Sequence, residues 1–272
     1  LITNDDGIRA PGIAALADLM ETLGKVTVLA PDHNWSTTGH IRVMDRPMRI
    51  KEEEMLNGRI GYACSGSPAD CVAMGLRGFL DEPVDLVVSG INDGENVAQD
   101  LTYSGTVSAA MEAIIWHVPA IAFSLYYDYA EGPAVLKDFQ HAARWASHIV
   151  EYWQGIQLSA GTLLNVNIPR MPEGKVNGIQ LTSLGTRVYR TEVDEIKDPR
   201  GKTYYWAIGQ RPEIFPEPGT DTGALSEGAI SVTPVHLDMT DYEQLSQLQD
   251  MASTPYYAPV IKPSVPFQMH LK

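Results

Sequence analysis

Leu1-Ile2-Thr3-Asn4-Asp5-Asp6-Gly7-Ile8-Arg9 opens the chain, and the reading of these nine residues decides the fold. Two apolar residues run straight into a pair of carboxylates and a glycine. In a regular strand neighbouring side chains point to opposite faces, so Asp5 and Asp6 reach one site only where the strand ends. Gly7 supplies that ending, because it turns the backbone at little steric cost. The carboxyl ends of strands are where open α/β sheets bind their ligands. Two carboxylates placed together there repel each other unless a cation lies between them. A hard divalent ion, Mg²⁺ or Mn²⁺, suits such oxygen donors. Asn, Asp and Gly also form ordinary turns, so what the other strand ends carry has to choose between turn and site.

Working outward, Pro11 suits the first turn of a helix whose apolar residues Ile13, Leu16, Ala17, Met20 and Leu23 recur at helical spacing. Gly24 ends it, and Lys25 to Ala30 reads as a second buried strand. Strand, turn, helix and strand within about thirty residues is a βαβ unit, which implies a parallel sheet. Residues 41–63 read as hairpin-like. Pro83 to Ser89, Ala120 to Ser124 and Leu163 to Pro169 read as further strands, the first apolar on both faces. Helices are expected from Pro68, from Thr106 through Val118, and over roughly 133–153. From about 178 the character changes: Gln180–Leu184 and Thr203–Ile208 look like strands around a charged turn, Glu192 to Lys202. A hairpin rich in Tyr and Trp outside a parallel sheet reads as a protruding arm or an interface. Ala229–Pro234 is a late strand, and Thr240-Asp241-Tyr242-Glu243 reads as a capping box opening a short helix. The expected architecture is a single α/β domain over 1–272, with core about 1–178 and 220–250, an arm about 180–215 and an extended tail about 252–272.

The bulk numbers restrict function. With 34 acidic against 20 basic residues the net charge is -14, which argues against nucleic-acid polymers and anionic membranes as partners. A small phosphorylated substrate stays open, since a metal and backbone N–H groups supply positive field locally. Cys64 and Cys71, the only cysteines, lack paired zinc-ligand spacing and are expected as free buried thiols. That suits a cytoplasmic protein. No signal peptide or membrane-spanning run is evident.

Three strand ends carry polar groups: Asp5 and Asp6; Pro31 to His40 with Ser36; and Gly90 to Asn96 with Asn92. Two carboxylates, a hydroxyl and a carboxamide form an all-oxygen donor set for Mg²⁺, Mn²⁺ or Ca²⁺. Ser104-Gly105-Thr106 precedes a helix, and helix N-termini after small hydroxyl residues bind phosphate. Each piece has a plainer role: Ser104 or Thr106 as a helix cap, Asn92 as a turn residue, His33 and His40 as loop histidines, Asp70 as a helix-start acid favoured by the dipole. All of these would have to coincide at three strand ends.

Thr3-Asn4-Asp5-Asp6-Gly7-Ile8, Ala30-Pro31-Asp32 with Ser36, Ser89-Gly90-Ile91-Asn92 with Gly94 and Asn96, and Tyr103-Ser104-Gly105-Thr106-Val107 resemble the signature blocks of the SurE family. So do Gly66 to Cys71 and Gly228 to Pro234, and the likeness runs in order to about residue 240. The resemblance implies a Rossmann-like three-layer α/β/α core with a mostly parallel sheet and a C-terminal region exchanged in a homodimer, sometimes within a homotetramer. It implies a metal-dependent hydrolase of nucleoside 5′- and 3′-monophosphates, some members also acting on short polyphosphate. One divalent ion per subunit would fall on Asp5, Asp6, Ser36 and Asn92, and the phosphate on Ser104, Gly105 and Thr106 with Asn96 nearby. The chain departs from the pattern at Ile41-Arg42-Val43, at Asp93, and at Ala98 where glycine is frequent.

The expected chemistry is direct attack by water, since no activated nucleophile stands out, with Asp5 or Asp6 available as base. Two rivals remain on sequence grounds. One is a metal-dependent glycosyl or nucleotidyl transferase, the other a nucleotide sensor without turnover. A nicotinamide dehydrogenase is disfavoured, because the first βα turn lacks GxGxxG.

Overall fold

A computed structural model of the chain describes residues 1–156, 158–172, 174–189, 193–206 and 213–251; the tail expected over 252–272 lies outside them. The chain divides into two compact units, Leu1–Leu237 and Asp238–Lys272.

In the first unit, β1 (Ile2–Thr3) leads into α1 (Pro11–Met20), then β2 (Leu29–Pro31), β3 (Ile50–Glu54) and β4 (Ile60–Cys64). These are followed by α2 (Pro68–Met74), β5 (Val87–Asp93), α3 (Gly105–Ile115), β6 (Ala120–Tyr126), α4 (Leu136–Trp153) and β7 (Thr162–Pro169). Then come β8 (Ile179–Leu181), β9 (Thr186–Val188), β10 (Asp194–Lys197), β11 (Thr203–Trp206), β12 (Glu213–Phe215), α5 (Asp221–Ser226) and β13 (Ile230–His236). The second unit contains α6 (Tyr242–Met251).

The main sheet runs β1-β5-β6-β7-β13-β8. Strands β1, β5, β6 and β7 are mutually parallel, while β13 runs against β7 and carries β8 alongside it in parallel. A smaller sheet, β2-β4-β3, stands beside it. Alternation along the central strands builds the layers. Val88, Ile121 and Phe123 face one cluster with Ile13, Leu16, Phe139 and Ile149 of α1 and α4. Their neighbours Val87, Ala120 and Ala122 face the opposite cluster with Val72, Val107 and Ala110 of α2 and α3. Two covered faces make three layers. Phe123 and Phe139 are fully buried, and truncating such a residue to Ala costs roughly 3–5 kcal/mol. Among the described residues no helix is long and apolar enough to cross a membrane.

Several elements depart from the sequence expectation. The strand expected over 25–30 pairs as a ladder only at Leu29–Pro31, and it pairs with β4. Its link to β1 is a single bridge, Ile2 to Val28, because β1 is only two residues long and its own ladder partner is β5. Gln180 and Leu181 belong to β8 on the main sheet, so they do not form a hairpin with Thr203–Trp206; Glu192, Ala207 and Ile208 of that expected arm lie outside the described residues. The partner of β11 is β10, which lies inside the stretch read as a charged turn. Every residue of β10 and β11 is exposed. Helix α6 is capped by Asp241, whose carboxylate accepts from Gln244 N–H at 2.9 Å, rather than by a Thr240–Glu243 box.

Candidate metal and phosphate site

The turn after β1 resolves the first ambiguity by division of labour. Buried Asn4 spends both ends of its amide on the turn: Nδ2 donates to Gly7 O at 3.0 Å, and Oδ1 accepts from Gly7 N at 3.2 Å. Gly7 holds φ +98°, where an added Cβ would sit 3.3 Å from the His33 carbonyl. Asn4 and Gly7 therefore form the turn, which leaves Asp5 and Asp6 for other partners.

Asp5 is 3% exposed. Its Oδ1 accepts a hydrogen bond from the Thr106 hydroxyl, and its carbonyl accepts from Trp35 N–H at 2.7 Å. The N-terminus of α3 abuts it so closely that a Cβ on Gly105 would lie 2.7 Å from Asp5 Cβ. Asp6 receives Asp93 N–H at 3.1 Å on one oxygen and the Asn34 amide at 3.4 Å on the other. Burial raises the Asp5 carboxyl above the ordinary carboxylate range, and the Thr106 hydroxyl and the backbone N–H groups of Thr106 and Gly105 oppose this only in part. Asp6 is pushed up to about 7, first by burial and then by the charge of Asp5. Two carboxylates disfavoured in their charged forms are a site that a cation would restore.

Ser36 is exposed on the loop after β2. That loop is tied to the site at Trp35, and to the turn before α3 through Gly39 N–H, which reaches Tyr103 O at 2.9 Å. Ser36 N–H donates to Asn34 Oδ1 at 2.7 Å, and among the described residues no hydrogen bond joins the Ser36 hydroxyl to either carboxylate. Asn92 sits beyond a register shift in β5, opposite Ser124, and its amide donates to Gly94 O at 2.8 Å. Its turn role is therefore real and lies at the same strand end as the site. Ser104 caps α3, its hydroxyl accepting Val107 N–H at 3.1 Å.

Asn96 is held most firmly. Its N–H donates to Asn167 Oδ1 at 2.8 Å, its carbonyl accepts from Asn165 and Asn167 at 2.8 and 3.0 Å, and its amide donates to Ser124 Oγ at 2.8 Å. The sequence reading did not single out Asn165, Asn167 or Ser124. The signal was available: Asn165 and Asn167 are two residues apart in an otherwise apolar strand, hence on one face. Asp93, one of the departures from the family pattern, turns its carboxylate to Tyr127, whose hydroxyl donates to it at 2.7 Å. Among the described residues no cluster of three or more His, Cys, Asp or Glu could hold a metal. The donors on offer are thus a carboxylate pair with neutral oxygens, a hard set that fits Mg²⁺ or Mn²⁺.

Fold and site together define an α/β protein with an acidic pair packed against a helix N-terminus at the carboxyl edge of its parallel strands. The chain belongs to the SurE family: the family model described as Survival protein SurE matches residues 1–191. It is 45% identical over 248 residues to the 5′-nucleotidase SurE of Herpetosiphon aurantiacus, covering 91% of this chain and 96% of that protein. It is also 45% identical over 249 residues to the 5′-nucleotidase SurE of Chloroflexus aggregans, with 92% and 97% covered. The crystal structure of the SurE protein from Aquifex aeolicus superimposes with a TM-score of 0.77 at 38% identity, covering 92% of this chain and 98% of that one.

Proposed function

We propose that the protein is a divalent-metal-dependent phosphatase that hydrolyses nucleoside 5′-monophosphates to nucleoside and phosphate. The observation that carries this reading is the burial of Asp5 beside Asp6 against the first turn of α3. Kinship with proteins named 5′-nucleotidase SurE supports the substrate class. Asp5, Asp6, Ser36 and Asn92 would hold one ion, Mg²⁺ or Mn²⁺, which when bound polarises phosphoryl oxygens and acidifies water. The N–H groups at the start of α3 bind the phosphoryl group and steady its developing charge, with Gly105 allowing close approach. Asn96, fixed by its strand partners, orients the substrate beside them. Water attacks directly, while the buried Thr106 hydroxyl orients Asp5 and the Ser104 hydroxyl caps α3. Asp5 or Asp6 takes the water proton.

The same reading includes activity on 3′-monophosphates and short polyphosphate, a cytoplasmic location, and a homodimer or homotetramer. The exposed Tyr204, Tyr205 and Trp206 on β11 support self-association. Phosphate release from a panel of nucleoside 5′- and 3′-monophosphates and tripolyphosphate, with Mn²⁺, Mg²⁺ or EDTA, tests the assignment. Release from 5′-monophosphates that requires the metal upholds it. Binding without turnover under every ion would replace it with the sensor reading.

A further inference from the structure

The segment that carries Asn92 and Asn96 also carries Glu95 and Asp100, and both of these acids pair with one cation. Arg187, in the middle of β9, places Nη2 2.7 Å from Glu95 Oε1 and pairs through Nη1 with Asp100. The three side chains are only 11%, 6% and 12% exposed. The backbone of Arg187 is engaged as well: its N–H donates to Gln99 Oε1 at 3.3 Å, and its carbonyl accepts from Gln99 Nε2. Tyr189, two residues on and just past the end of β9, adds its hydroxyl to Asp100. Next to this clamp, buried Asp221 accepts Ala98 N–H at 2.9 Å and Gly185 N–H at 2.7 Å, joining the same two segments a second time. Ala98 holds φ +52°, a conformation that L-residues adopt only when their surroundings enforce it. A fork-shaped guanidinium answering two carboxylates at once gives direction as well as charge.

We infer that Arg187 is a positioning residue for substrate binding: by clamping Glu95 and Asp100 it sets the loop that leaves β5 just after Asn92 and carries Asn96 to the phosphate and metal site. The inference rests on the phosphatase reading for what the loop binds. It reaches beyond that reading in making a strand about ninety residues further along the chain a determinant of the site. Asn96 is already pinned to β7, so loss of Arg187 frees the flanks of the loop rather than the whole of it. Affinity then suffers more than the chemical step.

The test compares Arg187→Met, Arg187→Lys and the double variant Glu95→Gln/Asp100→Asn with the unaltered protein. Steady-state kinetics on AMP with Mn²⁺ is combined with hydrogen exchange of the amides over residues 92–102. Arg187→Met is expected to raise KM roughly tenfold, the signature of binding lost equally from ground state and transition state. Its kcat is expected to stay within about threefold, with faster exchange confined to 92–102. Arg187→Lys restores part of the affinity, because it keeps the charge and loses the fork. If Arg187→Met does not fold, the double variant, which removes the two acids instead of stranding them, must show the same rise in KM. Folded variants with unchanged KM and unchanged exchange would overturn the inference. An unaltered protein with no turnover would sink the phosphatase reading instead, and the exchange measurement would still decide whether Arg187 holds the loop.

Discussion

Gly105 offers the sharpest test of the site, because the same substitution has three different meanings at three glycines. A Cβ at Gly105 would lie 2.7 Å from Asp5 Cβ and 2.9 Å from Asp5 Oδ2, closer than non-bonded carbons approach. Gly105→Ala therefore forces the first turn of α3 and the Asp5 side chain apart. The stability effect is small: overpacking costs about 1–3 kcal/mol, offset by about 1 kcal/mol of helix propensity. At about 2–4 °C per kcal/mol, the fall in melting temperature stays under roughly 8 °C. The effect on turnover is larger, since moving anion-binding N–H groups by about 1 Å costs on the order of 10²-fold in kcat/KM. That is about 2.7 kcal/mol of transition-state stabilisation. Gly155→Ala is the control. A Cβ there meets nothing within 4 Å, so the melting temperature rises by the equivalent of about 0.4–1 kcal/mol and activity is unchanged. Gly12→Ala marks the other extreme, with a Cβ 1.9 Å from the Ile91 carbonyl, and folding itself should fail. The assay is phosphate release from AMP with Mn²⁺, paired with thermal unfolding. A folded Gly105→Ala protein whose kcat/KM stays within about threefold of the unaltered protein would refute the placement of substrate at this helix end.

Asp6→Asn is expected to remove measurable turnover without lowering the metal-free melting temperature, since it deletes a charge facing Asp5; retained activity would exclude Asp6 from the site. Dialysis against EDTA should abolish phosphate release and Mn²⁺ or Mg²⁺ should restore it, which a metal-independent rate would contradict. Asp221→Ala leaves the N–H groups of Ala98, Gly185 and Thr222 without their acceptor. At about 1–3 kcal/mol for each unsatisfied buried donor, it should be strongly destabilised by chemical denaturation. Glu112 answers to pH. Burial alone would raise its carboxyl, but His40, Trp116 and Arg42 outweigh this and hold it below the ordinary 4.5. A depressed carboxylate adds stability that is present above pH 4.5 and lost as pH falls through its folded value. Glu112→Gln should therefore be less stable at pH 7 and lose less between pH 5 and pH 3, as followed by denaturant midpoints.

By itself the sequence settled what local patterns can settle. Period-3.6 apolar spacing placed α1, α3 and α4, short apolar runs placed the central strands, Asp-Asp-Gly and Asn92 announced themselves at strand ends, and Ser-Gly-Thr did so at a helix start. Those signals survive because they belong to residues next to each other in the chain. What followed from tertiary packing has no local signature. That β1 pairs with β5, about 86 residues away, rather than with β2 depends on which edges are left after the helices cover both faces. Asn4 and Gly7 supply the turn while Asp5 meets Thr106, a hundred residues on, and no count of turn residues separates those roles. Asn165 and Asn167 could be read as one face of a strand, but the Asn96 backbone as their partner could not. Arg187 and Asp221 gave even less sign, since a lone Arg in a short strand and an Asp at a helix start are ordinary until the fold closes them onto Glu95, Asp100 and Ala98. A sequence lists donors and acceptors in order, and which of them meet is decided by how the core packs.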